Sequence, residues 1–393
     1  MSEAVIVGYA RTPIGRFGGG LSTLSAMDIG GRAIAAALAR AGVAPDRVEY
    51  TIMGHVLQAG QGQITARQAA RKAGIPMEAP ALTVNKVCLS GMDAVALADQ
   101  LIRQGEFDVV VAGGMESMSN APYLLPKART GYRMGDGAVV DSMVHDGLWC
   151  AFDAEHMGVG NDRMSQRYGI SRQAQDEWAA MSHERAVNAW KEGRYRGEVV
   201  PVEVPQRKGD AIVVEQDEGM RPGTTPESLA KLRGAFAKDG TTTAGNASQI
   251  SDGAAALVLT SRQKAEELGL APLARILAYG TVAGPDPSLH HQPAEAIIKA
   301  SSKIGRDPSS YDLYEMNEAF AAVAIHSANL LGIDSERVNR NGGAVALGHP
   351  IGATGARITG AIVHELHNRG GGVGAASLCG GGGQGDALII QVL

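Results

Sequence analysis

The sequence predicts an α/β protein built from two duplicated halves, with a segment of different character inserted between them. Three observations predict it: short apolar runs alternate with helical stretches from the start of the chain, the same alternation returns at its end, and the composition changes in between. At 393 residues, 45% hydrophobic and 20% charged, the chain can build more than one core, and wholesale disorder is not expected.

In the first half, AVIVGYA reads as a strand, Met27 to Ala41 as a helix, YTIMGHV as a strand, TARQAARKAG as a helix and ALTVNKV as a strand. A helix over Gly91 to Arg103 then leads into the strand DVVVAGG. Such alternation implies a parallel sheet with helices on its faces. MDIGGRAIAAALARAG carries Ala, Ile and Leu on most sides, which suits a helix buried between layers.

The end of the chain repeats the pattern: LARILAYG, a helix over Ala294 to Ile304, LYEMNEA, VNRNGG, a helix over Gly352 to His367, GGVGAASL and DALIIQVL. VEYTIMGHV parallels YDLYEMNEAF. TVNKVCLSGMDAVALADQLI parallels RVNRNGGAVALGHPIGATGARITGAIVHEL, each with a VN dipeptide before a turn and a helix. Duplication of this kind predicts a pseudo-symmetric pair with equivalent strand ends close together. The expected boundaries are 1–119 for the first half, 120–249 for the insertion, 250–271 for a return to the first half and 272–393 for the second half. In the insertion charge, proline and turn residues rise, and Ser171 to Lys191 alone reads as a long amphipathic helix; Asp252 to Thr260 is an apolar strand that resumes the first half.

A formal net charge of −5 without a long basic run gives no footprint for nucleic acid. Three widely spaced cysteines form neither a disulfide framework nor a metal knuckle, and they fit a reducing compartment. No apolar stretch reaches the ~20 residues of a membrane helix, and the opening MSEAVIVGYARTP has no leader pattern, so a cytoplasmic protein without membrane partners is expected.

Cys88 lies between the strand ALTVNKV and a helix, where helix N–H groups would lower a thiol pKa from its usual ~8.5. A small core cysteine is the competing reading of that residue alone. His349 occupies the matching glycine-rich turn of the second half and suits a base, or simply a turn histidine held by backbone bonds. Cys379 opens CGGGGQG, whose glycines offer exposed N–H groups for an oxyanion; the loop lacks the pattern of a phosphate loop, and a plain hairpin is the alternative. In NEAFA, Asn317 fits a helix N-cap and Glu318 a first-turn acid. Cys150 reads as packing, His364 and His367 as a solvated helix surface, and His290 with His291 lacks the partners of a metal site, so no metal is expected.

Together NKVCLSGMDA, NEAFA, GGAVALGHPIGATGAR and CGGGGQG, in this order, resemble the thiolase family. The likeness continues through VVVAGGMESMSN, the HMG of His156 to Gly158, and GNASQISDGAAA, and so covers essentially the whole chain. The resemblance implies a layered αβαβα fold with an inserted loop domain, and ping-pong acyl transfer through an acyl-cysteine. By motif, Cys88 is the nucleophile, His349 takes its proton, and Cys379 is the acid or base at the acetyl α-carbon. Asn317 holds a water at the enolate oxygen with His349, and the N–H groups of Cys88 and Gly381 face the tetrahedral oxyanion. Ser248, His156, Arg221, Ser228, Met157, Leu289, Ala319 and Phe320 are carried over as coenzyme A contacts.

The resemblance further implies acyl-CoA and coenzyme A as substrates, no permanently bound cofactor, and a homotetramer, a dimer of dimers. The text MGDGAVVDSMVHDGL resembles the short-chain biosynthetic members, which points to acetyl-CoA C-acetyltransferase activity; a degradative 3-ketoacyl-CoA thiolase of fatty acid metabolism is the alternative. A ketoacyl synthase-type condensing enzyme is opposed by Cys379, and a noncatalytic acyl-CoA or lipid carrier by retention of all the catalytic side chains. Departures are Leu89 where relatives often have a small residue, Thr354 where they often have Ser, and Leu289, His290 and His291 in PSLHHQP beside the acyl pocket.

Overall fold

The computed structural model describes residues 3–393. Strand β1 (Ala4–Arg11) is buried along its whole length, which is why AVIVGYAR is apolar on both faces rather than alternating. Helix α1 (Ala26–Ala41) begins at Ser25, which forms a capping box with Asp28, and ends at Gly42 in the left-handed conformation. β2 (Tyr50–Gly54), α2 (Thr65–Lys72), β3 (Ala81–Val84), α3 (Ser90–Gln104) and β4 (Val109–Ser117) follow in the predicted order.

The chain then leaves the sheet for the inserted segment, which holds α4 (Met157–Arg167) and the 20-residue α5 (Arg172–Lys191), capped by Ser171. A buried ion cluster fastens this segment to the first half: Arg11 at the end of β1 bonds Glu198 at 2.6 Å and Asp217 at 2.7 Å. β5 (Ser251–Ser261) re-enters the sheet between β1 and β4.

The second half comprises β6 (Ala274–Ala283), α6 (Gln292–Lys303), β7 (Leu313–Met316), α7 (Ala321–Leu331), α8 (Ile351–Asn368), β8 (Gly372–Gly380) and β9 (Gln384–Val392). The strand order is β7-β8-β9-β6-β1-β5-β4-β2-β3. Read outward from the β1/β6 seam, both halves follow one path: first strand, last, next to last, second. The seam itself is two residue pairs, Val5 with Arg275 and Ile6 with Ala274.

Two expectations are corrected. The sheet is mixed rather than parallel: β2 pairs in parallel with β3 and β4, and β7 with β8, while β4/β5, β5/β1, β8/β9 and β9/β6 are antiparallel. The tight turn over 381–383 makes β8 and β9 a hairpin, and a parallel return would need a crossover of about a dozen residues. VNRNGG is not a strand, since one parallel bridge from Val338 to Tyr314 is all that matches β3 in the second half.

Three cores define five layers. α1 and α2 cover one outer face, α6 and α7 the other, and α3 with α8 lies between the two halves of the sheet. The central helices touch backbone to backbone: a Cβ at Gly355 would lie 2.3 Å from the Met92 nitrogen, and one at Gly91 2.9 Å from the Ala356 nitrogen. The turns preceding α3 and α8 carry Cys88 and His349, so the duplication brings the two candidates to one end of this central layer.

Candidate active site

The turn before α3 is held against its preference. Val87, just ahead of Cys88, has φ +52°, a left-handed conformation costing a β-branched residue about 1–2 kcal/mol. Its neighbours enforce it: Asn85 accepts from the Val87 N–H at 3.1 Å, and Ser90 Oγ donates to the Val87 carbonyl at 2.6 Å. From the other side Lys86 bonds Asp93 of α3 and reaches across to the second half, to both oxygens of buried Asp386 at 3.0 Å and to Thr281.

The Cys88 side chain is buried, and burial pushes its thiol up to about 12. The N–H groups of Cys88 and Gly381 pull in the opposite direction and Glu116 adds to the rise. The expected lowering by the helix end is therefore corrected: α3 begins only at Ser90, the charge bearing on the sulfur is that of Glu116, and desolvation outweighs the N–H groups. Burial also raises the Cys379 thiol, and a charge on Cys88 raises it further, which makes the two sulfurs electrostatic neighbours.

His349 follows Gly348 in the turn leading to α8. Its Nδ1 lies 2.7 Å from Thr354 Oγ1, and that hydroxyl donates to the Pro350 carbonyl at 3.0 Å. With its proton committed, Thr354 must accept from Nδ1–H, which leaves the Nε2 lone pair free. Asn317 Nδ2 faces that lone pair at 3.4 Å. Burial first, and Arg357 second, push His349 down to about 3, so the ring is a neutral acceptor. Thr354, a departure in the motif, does the orienting.

Asn317 is not an N-cap: α7 starts at Ala321 with Phe320 in the cap position. The Asn317 backbone is held by Ser377, and its buried Oδ1 has no partner among the described residues. Glu318, expected as a first-turn acid, is instead buried, accepting from Trp178 Nε1, Ser182 Oγ, Asn339 Nδ2 and the Val345 N–H at 2.7–3.0 Å. It ties α5 to the loop before α7, a long-range demand that local propensity does not report.

Beside Cys379 lies an apolar cluster of Leu289, Ala319, Phe320 and Val323, with Met157 and Phe236 packed against it. Ser248 Oγ donates to the Ala319 carbonyl at 2.9 Å, and the His156 ring stacks on Phe236 with centroids 4.4 Å apart. Arg221 and Ser228 are set apart, exposed on the inserted segment. Arg221 lines a cavity of about 520 Å³ with His183 and Thr225, and the Ser228 hydroxyl is used in a capping box with Thr225.

Comparison with known proteins then decides the family. Residues 4–263 match the thiolase N-terminal domain and residues 270–392 the thiolase C-terminal domain. The chain belongs to the thiolase family. This thiolase is an acyltransferase. It is 56% identical over 387 residues to a probable acetyl-CoA acetyltransferase of Mycolicibacterium smegmatis, covering 98% of this chain and 100% of that one. To the acetyl-CoA acetyltransferase of Cupriavidus necator it is 50% identical over 392 residues, covering 100% of both. Its structure superposes on the crystal structure of the Bacillus anthracis acetyl-CoA acetyltransferase with a TM-score of 0.97 at 42% identity, covering 100% of this chain and 99% of that one.

Sequence reasoning missed several residues that shape the site of this thiolase. Phe236 gave one usable signal, an isolated aromatic in a polar insertion. Lys86 gave none, because Asp386 lies 300 positions away. His364, expected on a solvated surface, is half-buried and bonds the Arg194 carbonyl at 2.9 Å. His290 is buried against Ser165 and Tyr168, and His291 lies near the Gly284 carbonyl.

Proposed function

We propose that the chain is an acetyl-CoA C-acetyltransferase that reversibly condenses two acetyl-CoA to acetoacetyl-CoA and coenzyme A, with Cys88, His349, Cys379, Asn317 and Gly381 as its catalytic groups. One observation carries the reading: Thr354 orients His349 so that its neutral Nε2 is an acceptor, and the buried Cys88 and Cys379 thiols lie near enough to act on each other's charge.

Neither thiol is ionised at rest, so proton transfer accompanies attack. The Cys88 sulfur adds to the thioester carbonyl as its proton passes to His349 Nε2, and the oxyanion faces the N–H groups of Cys88 and Gly381. Coenzyme A leaves as a thiolate and takes the proton from His349. In the second half-reaction Cys379 gives its proton to His349 and removes one from the α-carbon of a new acetyl-CoA. The enolate oxygen rests against protonated His349 and a water at Asn317, whose unpaired buried Oδ1 suits such a water. The α-carbon attacks the acetyl group on Cys88, the carbon–sulfur bond breaks, and the Cys88 thiolate recovers a proton from His349.

Leu289 and Met157 pack beside Cys379, and they close the site off from a small cavity of about 20 Å³ behind them, room for one water-sized group. On the same reading Ser248, His156, Met157, Leu289, Ala319 and Phe320 contact the pantetheine arm, and Arg221 and Ser228 the nucleotide end. Residues 120–249 then form a domain for coenzyme A binding and oligomerisation between the half of 1–119 with 250–271 and the half of 272–393, in a cytoplasmic homotetramer.

The test mixes protein, acetoacetyl-CoA and coenzyme A, follows loss of the ketoacyl species, and seeks an acetyl adduct on the Cys88 peptide by mass spectrometry. Cys88→Ala abolishes both signals. Cys379→Ala still takes up the adduct from acetyl-CoA but forms no new carbon–carbon bond. Full turnover by Cys88→Ala would overturn the assignment.

A further inference from the structure

Glu116 stands at the end of β4 in an otherwise apolar run and is completely buried. Its carboxylate gathers three backbone N–H groups from separate parts of the chain: Val56 and Leu57 at 3.1 Å, just after β2, and Gly352 at 2.9 Å, in the first turn of α8. Gly352 is three residues beyond His349. A single side chain of the first half thus holds the helix start that carries the base of the second half.

Backbone packing at the same point is unusually close. The Gly352 carbonyl sits where a Cβ on Gly54, Gly91 or Gly114 would lie, at 2.6, 2.8 and 2.0 Å respectively. Gly54 ends β2, Gly114 belongs to β4, and Gly91 lies three residues after Cys88. The glycine socket accepts the start of α8 and the carboxylate keeps it seated. Small shifts there change how the Cys88 and His349 turns face each other, and a misplacement of about 1 Å can cost ~100-fold in rate.

We propose that Glu116 is a positioning residue: its carboxylate latches the N-terminal turn of α8, and with it His349, to the half of the protein that carries Cys88. This rests on the acyl-transfer assignment above and deepens it. Both carboxylate oxygens are used as acceptors, so a proton on either turns one toward an N–H as a competing donor. Burial raises Glu116 to about 7, against the pull of its three N–H partners, while Asp252 of β5 adds to the rise. The other ionisable groups bearing on it are His55 after β2, whose Nε2 is 3.4 Å away, and Cys88 ahead of α3; α8 contributes the Gly352 N–H. Burial holds His55 down to about 4, so its ring is neutral where Glu116 titrates.

The test compares kcat, KM and the pH profile of the wild type with those of Glu116→Gln and Glu116→Met, after thermal melting has shown which variants fold. Gln keeps one acceptor oxygen and Met keeps none. Expected are a loss of kcat of about tenfold for Gln and more for Met, KM for acetyl-CoA within twofold, and disappearance of the acid limb near pH 7. A Gln variant with wild-type kcat, a loss expressed in KM, or an unmoved acid limb overturns the latch. If neither variant folds, hydrogen exchange of the Gly352 amide in the wild type decides, corrected for its intrinsic rate: protection must fall severalfold as Glu116 protonates, and constant protection refutes the proposal. Acetylation of Cys88 is measured in parallel in the wild type, because its absence would defeat the catalytic assignment rather than the latch.

Discussion

Replacing Thr354 by Val, which matches its shape without the hydroxyl, tests the orientation of the base. In the wild type the buried Nδ1–H···Oγ1 contact of 2.7 Å fixes the tautomer with Nε2 unprotonated. Valine leaves Nδ1–H without an acceptor, at a cost of about 1–3 kcal/mol for a buried donor. The other tautomer then becomes attractive, since Asn317 can turn its amide and let the unpaired Oδ1 accept from Nε2–H. A shift of about 1–3 kcal/mol reduces the productive tautomer roughly 5- to 150-fold, and kcat falls with it. KM for acetyl-CoA changes little, because Thr354 is buried beneath the ring. Thr354→Ser keeps the hydroxyl and retains activity within a few-fold. Steady-state condensation and single-turnover acetylation of Cys88 read both variants. Wild-type rates for Thr354→Val, or equal losses for Val and Ser, would refute the tautomer argument.

Lys86→Met leaves Asp386 buried beside Asp93 without its cation, so denaturant unfolding should show a loss of about 3–5 kcal/mol, and the double replacement with Asp386→Leu should recover much of it. Acidification should also destabilise the fold. Burial lowers His55 and His183 to about 4 and His290 and His349 to about 3, so between pH 6.5 and those values the unfolded chain binds more protons and stability drains away. Glu116, raised to about 7, and Glu315, raised to about 8, act the opposite way, contributing stability at low pH that is lost as pH rises through those values. Asp386, which burial raises to about 6, acts with the glutamates. Between pH 6.5 and 4.5 the four histidines still outnumber these three acids, so urea midpoints should fall over that range; a flat or rising midpoint contradicts the signs. Leu289→Ala should join the small cavity behind it to the acyl site and raise kcat/KM for a four- or five-carbon acyl group relative to acetyl. Unchanged selectivity would move the length determinant elsewhere.

Much of this protein is legible in one dimension, because helix and strand periods, caps and turn glycines act over a few residues. Ser25 ahead of α1, Ser171 ahead of α5 and the apolar run of β1 all report local physics. The duplication is legible for a related reason: the VN dipeptide recurs before the turns that carry Cys88 and His349, so equivalent positions had to sit at equivalent ends of the two halves. The motifs together named the family. The ionisation of the groups they contain was not legible in the same way. Cys88 looks activated from its place beside a helix, but its protonation depends on how much water the whole fold removes from the sulfur, and that is decided by side chains from both halves.

What the sequence determined by itself is therefore the succession of elements, the repeat and the identity of the reactive groups. Tertiary structure alone decided that the sheet is mixed, that Asn317 serves His349 instead of a helix end, that Glu318 is a buried acceptor, and that Lys86 and Glu116 bridge the halves. Each of these rests on partners that are distant in the chain and adjacent in space. Burial, which sets both the pKa values and the need for hydrogen-bond partners, comes into being only when those distant surfaces meet.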